Sequence, residues 1–247
     1  MTILVTGGDG LVGRALAARG ALAFGRSELD VTDERRRDEV LAAHQPDAVV
    51  FCAAQTNVDR CASDPLAHAV NVVAPGAWAR LVPTWFVSSN FVFSGPGPHA
   101  PDDPRAPVNA YGRQKAAAED AVLAAGGHVI RTGWVYGTGG RGFASTLPDR
   151  PGPWRAVHDW PVQPTYADDL AGALLGLPRG VTHLIGAEET TWAGFAAELA
   201  RLIGGTVEPA ALAELGLGPR PADARLTPAT LPGFRDALPR WLVSRGS

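Results

Sequence analysis

The chain has 247 residues and a formal net charge of −3, with 46% hydrophobic and 19% charged residues, which is ordinary for one folded domain with at most a small second lobe. This balance gives no indication of a nucleic acid or a membrane surface as partner. Two cysteines exclude a disulfide framework and a four-ligand zinc pattern. No basic region precedes the first apolar run, so we expect no signal peptide and a cytoplasmic location.

The first half of the sequence alternates short apolar runs with helical stretches. We predict strands at residues 3–6, 21–24, 47–51, 85–88 and 128–131. We predict helices at residues 10–18, 34–44 and 111–125. Alternation at this spacing is typical of the α/β class, with a parallel sheet covered by helices on both faces.

The character of the sequence changes after about residue 135. Residues 137–153 are rich in Gly, Pro and Arg and predict a loop. Beyond them we predict a helix at 168–177, a strand at 181–185, a helix at 190–203, and short helical pieces among the prolines of the last 40 residues. We therefore divide the chain into a core, residues 1–135, and a smaller lobe, residues 136–247, which returns some elements to the main sheet.

A glycine-rich loop joins the first predicted strand to the first helix. It reads Gly7-x-x-Gly10-Leu11-Val12-Gly13. Glycine permits a sharp turn there and lets backbone N–H groups approach a pyrophosphate, while the last glycine allows the helix to pack closely on the strand. The strand–turn–helix context favours a dinucleotide site over a merely flexible turn. The core is thus predicted to be a Rossmann-type doubly wound sheet.

The residues after the second strand indicate which dinucleotide binds. An acid at this point usually holds the ribose hydroxyls of NAD, whereas arginine accommodates the 2′-phosphate of NADP. Here Phe24 is followed by Gly25, Arg26 and Ser27. We therefore prefer NADPH, with NADH as the alternative and a simple surface position as the competing interpretation of Arg26.

Tyr111 and Lys115 are spaced to lie on one face of a helix. A nearby cation stabilises a phenolate and is expected to lower the pKa of Tyr111, so that it exchanges a proton with a carbonyl oxygen. Lys115 is the single lysine among 22 basic residues, and it follows one of only three tyrosines by four positions. This coincidence argues against an ordinary exposed pair.

Together these features resemble the extended short-chain dehydrogenase/reductase superfamily, and within it the dTDP-4-dehydrorhamnose reductase family. The resemblance continues along nearly the whole chain through residues 29–33, 51–59, 71, 88–93, 107–115, 131–137, 164–165, 169–171 and 220–221. It implies a reductase that transfers hydride from NADPH to a ketone. The implied substrate is a 4-keto-deoxysugar nucleotide or a related specialised-metabolite ketone.

The resemblance also implies roles for individual residues. Tyr111 is the proton donor, Lys115 its partner, and Ser89 the hydroxyl that hydrogen-bonds the substrate carbonyl. The implied cofactor-binding residues, besides the glycine loop, Tyr111 and Lys115, are Arg26, Ser27, Asp30, Val31, Ala53, Ala54, Gln55 and Thr132. Arg131 and Trp134 are also implied to border the cofactor and the substrate pocket.

Departures from the family pattern lie on the substrate side. Asn90 stands where the family has an acid, and residues 159–165 and the short segment between Phe143 and Ala156 also differ. We expect a trimmed lobe with Asn90 at the substrate. Trp134, Trp154 and Trp160 are candidates for a stacking wall, with core packing as the alternative and the preferred interpretation of Trp134.

Two other functions stay open. One is a non-catalytic nucleotide-binding subunit similar to the β subunit of methionine adenosyltransferase, and the other is a superfamily epimerase or dehydratase. The intact Tyr111–Lys115 pair weighs against the first, and the absence of an acid beside Ser89 weighs against a dehydratase. No histidine has metal-ligand spacing, so we expect no metal site. The oligomeric state is open, with a homodimer as one candidate.

Overall fold

The structure is a computed structural model that describes residues 1–140 and 142–246. Its strands are β1 (Ile3–Thr6), β2 (Leu22–Phe24), β3 (Ala48–Phe51), β4 (Thr84–Ser89), β5 (His128–Thr132), β6 (Val135–Tyr136), β7 (Trp154–Val157), β8 (Thr165–Tyr166), β9 (Val181–His183) and β10 (Val207–Ala210). Its helices are α1 (Leu11–Ala17), α2 (Glu34–His44), α3 (Ala74–Ala79), α4 (Ala110–Ala124), α5 (Phe143–Thr146), α6 (Ala167–Leu174), α7 (Trp192–Ile203) and α8 (Phe234–Arg245).

The main sheet is parallel, with its strands in the order β2-β1-β3-β4-β5-β9. Side chains alternate between its faces, as the pleat requires. Leu4 and Val49 face the core under α2, α3 and α4, while Val5 and Val50 face the core under α1 and α6. The chain adds β2 on one side of β1 and the later strands, from β3 onward, on the other side. The sheet therefore has a switch point between β1 and β3, where α/β folds bind ligands. The predicted Rossmann-type doubly wound sheet is confirmed.

The chain after β5 forms a smaller aromatic core. Two short parallel sheets, β6–β8 and β7–β10, pack with α7 and α8. Its buried rings are Tyr136, Trp154, Tyr166, Phe195, Phe234 and Trp241. Trp154 is enclosed in this core and belongs to no ligand-facing wall, so the stacking role considered for it is wrong.

Several elements differ from the sequence predictions. A π-helical turn, Ala69–Val73, leads into α3, and neither was predicted because Pro75 and Gly76 are poor helix formers. Close packing of α3 on α4 favours glycine at position 76, since a Cβ there would lie 2.7 Å from the Cβ of Ala121 on α4. The predicted loop 137–153 contains α5, and α8 continues through Pro239.

A buried carboxylate joins α4 to the sheet. Glu119 is fully buried and accepts hydrogen bonds from Arg131 on β5 at 2.8 and 3.0 Å, from Ser88 on β4, and from Arg105 at 3.2 Å. Arg131 therefore lies in a structural ion pair and not at the cavity described below, which corrects its implied place there. No helix within the described residues is long and apolar enough to cross a membrane.

Replacement of Glu119 by Gln removes one charge from this network and leaves Arg131, which is 4% exposed, without its counter-charge. We expect the free energy of unfolding to fall by about 3–5 kcal/mol, the usual cost of breaking a buried pair, as measured by urea denaturation. Asp120→Asn, which breaks the exposed pair with Arg105, is the control and is expected to cost at most about 1 kcal/mol. Equal costs for the two variants would contradict this assignment.

Candidate active site

A cavity of about 1020 Å³ opens at the carboxyl ends of β1, β3, β4 and β5. It brings together most of the predicted site residues: Gly7, Gly10, Leu11, Val12, Gly13, Ala54, Ser89, Asn90, Tyr111, Lys115, Thr132, Trp134 and Trp160. The other predicted residues are not among those that line it: Arg26, Ser27, Asp30, Val31, Ala53 and Gln55. The cavity therefore joins the glycine loop to the Tyr–Lys helix, as the two motifs together predicted.

The glycine loop lies where β1 and β3 come closest. Gly7 has φ +72°, and a Cβ there would lie 2.8 Å from the backbone N of Ala53. A Cβ on Gly13 would overlap with the carbonyl oxygen of Gly7. Both positions therefore require glycine for close backbone approach. No side chain caps α1 at Gly10, so the N–H groups of the first turn are free to face a ligand.

The residues that lie outside the cavity have contacts of their own. The carboxylate of Asp30 accepts hydrogen bonds from Thr32, which lower the pKa of Asp30. Val31 is buried in the core, where its carbonyl accepts a hydrogen bond from Trp78. Gln55 is held by Asn71 and Asp64, and Arg26 is exposed. Their roles toward a cofactor stay predictions.

Local packing places the beginning of α4 against the end of β4. Asn109 caps the helix by accepting a hydrogen bond from Gly112 N at 2.8 Å, and its amide donates to the carbonyl of Pro219. A Cβ on Gly112 would overlap with the carbonyl oxygen of Phe91. This close contact sets Tyr111 beside Ser89, and sequence reasoning missed both Asn109 and Gly112.

Ser89, Tyr111 and Lys115 meet on one wall of the cavity. The hydroxyl of Ser89 lies close enough to Tyr111 to act on the pKa of its phenol. The ammonium of Lys115 lies 5.9 Å from the centre of the Tyr111 ring and 4.5 Å from that of Phe86, and it donates to the carbonyl of Val87 at 2.9 Å. The predicted i,i+4 arrangement therefore places the cation beside the phenol.

The electrostatics of this pair correct one expectation. Burial raises the pKa of Tyr111 to about 12, although the nearby hydroxyl of Ser89 acts in the opposite direction. Burial also lowers the pKa of Lys115, which is 3% exposed, to about 8. The expected lowering of the Tyr111 pKa is therefore wrong here, because loss of hydration is the largest effect and Lys115 is not among the groups that shift this pKa. A phenol in this state keeps its proton and suits the role of an acid.

An aromatic wall of the cavity adjoins Tyr111. Phe91 links Tyr111 to Trp160, with ring centres 6.0 Å apart in each contact. Trp160 contacts Trp192, whose ring stacks on Trp134 at 5.5 Å. Trp134 and Trp160 thus line the cavity, and Trp134 also packs against the smaller core, which is the interpretation preferred for it. Phe91 and Trp192 complete the wall in place of Trp154.

Asn90 ties the site to the C-terminal part of the chain. Its amide donates to the carbonyl of Ala224 at 2.8 Å, and its oxygen accepts from the hydroxyl of Ser89 at 3.3 Å. Nearby, Arg220 forms two 2.8 Å contacts with Asp59, and both line the cavity. The pairing of Arg220 with Asp59 had no signal in the sequence, because the partners lie 161 residues apart.

The residues that the structure describes include no group of three or more His, Cys, Asp or Glu side chains that could hold a metal ion. Both thiols have a raised pKa because of burial, that of Cys52 to about 12. These thiols are therefore poor nucleophiles. The described residues that line the cavity and can exchange a proton with a ligand include Ser89, Tyr111 and Lys115.

Comparison with known proteins identifies relatives over nearly the whole chain. The family model described as RmlD substrate binding domain matches residues 1–241. A probable dTDP-4,6-dihydroxy-2-methyloxan-3-one 4-ketoreductase of Streptomyces antibioticus is 38% identical over 82% of this chain and 77% of its own. The dTDP-4-dehydrorhamnose reductase of Streptomyces griseus is 38% identical over 81% of this chain and 76% of its own.

A solved structure with the same name as one of these relatives has the same fold. The crystal structure of a Bacillus anthracis dTDP-4-dehydrorhamnose reductase in complex with NADP superimposes with a TM-score of 0.90 and 24% identity, covering 99% of this chain and all of the other. The predicted resemblance is confirmed. The relatives also confirm the prediction of an oxidoreductase of the extended short-chain dehydrogenase/reductase type.

Replacement of Gly112 by Ala tests the contact between α4 and Phe91. Alanine favours helix by about 1 kcal/mol over glycine, but its Cβ has no room beside Phe91 O. We expect a loss of about 1–3 kcal/mol from overpacking, measured by urea denaturation. The matched control is Gly172→Ala on α6, where the new Cβ meets nothing closer than 3.7 Å and stability should rise. A stabilised Gly112→Ala variant would show that the contact is not tight.

Replacement of Lys115 by Met tests its burial. Lysine in the unfolded chain keeps its proton up to about pH 10.5, whereas folded Lys115 loses it above about 8. The unfolded state therefore binds more protons between these values, so the free energy of unfolding rises with pH there. We expect Lys115→Met to be more stable than wild type by about 3 kcal/mol below pH 8, with the difference vanishing toward pH 10.5. If the difference in the free energy of unfolding between Lys115→Met and wild type does not change with pH, the lowered pKa of Lys115 is contradicted.

Proposed function

Because the chain belongs to the RmlD substrate binding domain family, we propose that it is an NADPH-dependent reductase of a keto group carried by a nucleotide-activated sugar. The observation that carries the proposal is the shared cavity. Ser89, Tyr111 and Lys115 lie on one of its walls, and the glycine loop lies on another. A ketone and a dinucleotide bound there would meet beside the phenol.

The cavity fits a dinucleotide. Gly7 and Gly13 leave a cradle that side chains would fill, and the loop presents free backbone donors to a pyrophosphate. Thr132 is 4% exposed, and its hydroxyl has no hydrogen-bond partner within residues 1–140 and 142–246. We propose that Thr132 and Lys115 hold the nicotinamide half. The dinucleotide, when bound, supplies the hydride.

The residues of the chain supply the proton and the orientation. Tyr111, with its pKa raised to about 12, stays protonated at neutral pH and donates its proton to the carbonyl oxygen as negative charge develops there. The ammonium of Lys115 then stabilises the phenolate that remains. Lys115 needs only one of its three donors for Val87, so two are free for ribose hydroxyls.

Ser89 orients the carbonyl in this proposal. Its oxygen accepts a hydrogen bond from Phe91 N at 3.2 Å, and its hydrogen points to Asn90 at 3.3 Å. The bond to Asn90 is long, so the hydroxyl can turn to the substrate at small cost. Asn90 is neutral where the family has an acid, and it therefore leaves more positive charge beside the reacting oxygen.

We assign the substrate class from the relatives. Two of them carry names of reductases that act on dTDP-linked keto sugars, and the aromatic wall offers rings for stacking on a base or a sugar. In this proposal residues 1–135 hold the cofactor, and residues 136–247 form the smaller lobe and return β9 and α6 to the main sheet. The regulatory subunit and the epimerase are not favoured, since relatives at 38% identity are named as reductases.

Replacement of Tyr111 by Phe removes the proton donor. With a dTDP-linked 4-keto-6-deoxy sugar and NADPH, we expect kcat to fall by roughly 10²–10⁴, followed as loss of absorbance at 340 nm. NADPH affinity, measured by fluorescence titration, should stay within about twofold of wild type, since the phenol acts mainly in the transition state.

Tyr166→Phe is the matched control. It removes a phenol of the smaller core that lies 3.3 Å from the Ser244 hydroxyl, and it should leave kcat unchanged. If wild type binds NADPH but turns over no keto sugar or other ketone, the regulatory function takes the place of the enzyme. Wild-type kcat in Tyr111→Phe would instead remove Tyr111 from the mechanism.

A further inference from the structure

The end of β2 lacks an acidic residue, yet a carboxylate lies there. Nucleotide-binding sheets usually place an acid just after β2, where it accepts hydrogen bonds from the adenosine ribose. In this chain Gly25 and Arg26 follow β2. The carboxylate of Asp9, from the glycine loop, accepts a hydrogen bond from Arg26 N at 2.9 Å. The carboxylate of Asp9, from the loop after β1, thus lies at the end of β2, where the strand is followed by no acidic residue.

Gly25 confirms how close this approach is. A Cβ on Gly25 would overlap with the carboxylate of Asp9, whose Cγ would be 2.6 Å away. Any larger residue after β2 would therefore displace the Asp9 side chain. Asp9 lines the cavity and is exposed to it. Its second oxygen, Oδ1, accepts no hydrogen bond from the described residues, so that oxygen is available to a ligand.

Arg26 does not neutralise this carboxylate by an ion pair. None of the ion pairs among residues 1–140 and 142–246 includes the guanidinium of Arg26, although its backbone N–H binds Asp9. Its charge also acts on Asp30, where it adds to the effect of the Thr32 hydrogen bonds in lowering the pKa. The end of β2 therefore combines the carboxylate of Asp9, a residue that lines the cavity, with the exposed cation of Arg26, a residue that does not.

We infer that Asp9 lowers the preference of this chain for NADPH over NADH, because its carboxylate accepts hydrogen bonds from the adenosine ribose hydroxyls and repels a 2′-phosphate. This inference rests on the proposed function, because it takes a dinucleotide as the occupant of the cavity. A 2′-phosphate adds close to two negative charges beside Asp9, whereas ribose hydroxyls donate to it. Arg26 acts in the opposite direction and favours the phosphate.

The test measures binding of NADPH and NADH separately to the purified full chain, by fluorescence titration without substrate. In Asp9→Asn, the amide can still accept from Arg26 N but carries no charge. We expect the affinity for NADPH to rise on the order of tenfold relative to that for NADH, with a smaller difference at high salt. Arg26→Ala should shift the ratio the other way. Asp47→Asn, which removes an exposed carboxylate at the opposite edge of the sheet, is the matched control and should leave the ratio unchanged.

The outcomes separate the two proposals. If neither dinucleotide binds to wild type, the proposed function fails, and this inference fails with it. If both dinucleotides bind but Asp9→Asn leaves their ratio unchanged, only the role of Asp9 is overturned. An equal loss of both affinities in Asp9→Asn, together with a lower melting temperature, would show that Asp9 maintains the loop conformation and does not determine selectivity. In that case Asp9→Ser, which retains a short hydrogen-bond acceptor, would keep the wild-type ratio of the two affinities.

Discussion

The contact between α4 and the end of β4 determines how the candidate catalytic side chains Ser89, Tyr111 and Lys115 are arranged. Gly112 lies against the carbonyl of Phe91, and Glu119 is bound to Ser88 and Arg131 two turns later. These two attachments leave the helix little freedom to slide or turn. Since Tyr111 and Lys115 lie on the same helix, their position relative to Ser89 follows from backbone packing and a buried ion pair, and it needs no ligand to form.

The main sheet and the reactive groups could be predicted because their signals are local. The glycine loop identifies the end of β1 by its spacing, and the single lysine identifies the helix face that carries Tyr111. The smaller lobe, and α3 in the core, could not be predicted as well. α3 contains Pro75 and Gly76, and α8 contains Pro239, so tertiary packing overrides their poor helix propensity. Pairs such as Asp59 and Arg220 depend on distant chain segments, which no local pattern reveals.

The expectation for the Tyr111 pKa failed for an instructive reason. Spacing along a helix predicts that a cation lies near, but it carries no information on hydration. The structure buries Lys115 and half-buries Tyr111. Loss of hydration raises the pKa of the phenol, which keeps its proton, and lowers the pKa of the ammonium, which loses its proton more easily. The site therefore stores unfavourable electrostatic free energy in Lys115, which is consistent with the general tendency of functional sites to be locally destabilising. The single lysine of the chain therefore lies at a buried position, where a positive charge loses its hydration.

The ion pair between Arg220 and Asp59 has a consequence for how the cavity forms. It joins the loop after β3 to a segment near the end of the chain, and Asn109 and Asn90 hold the same segment through Pro219 and Ala224. During synthesis the N-terminal part emerges and folds first, so the glycine loop and α4 can be in place before this segment leaves the ribosome. To close this wall of the cavity, the chain must form contacts between residues more than 100 positions apart, a long-range closure of the kind that slows folding.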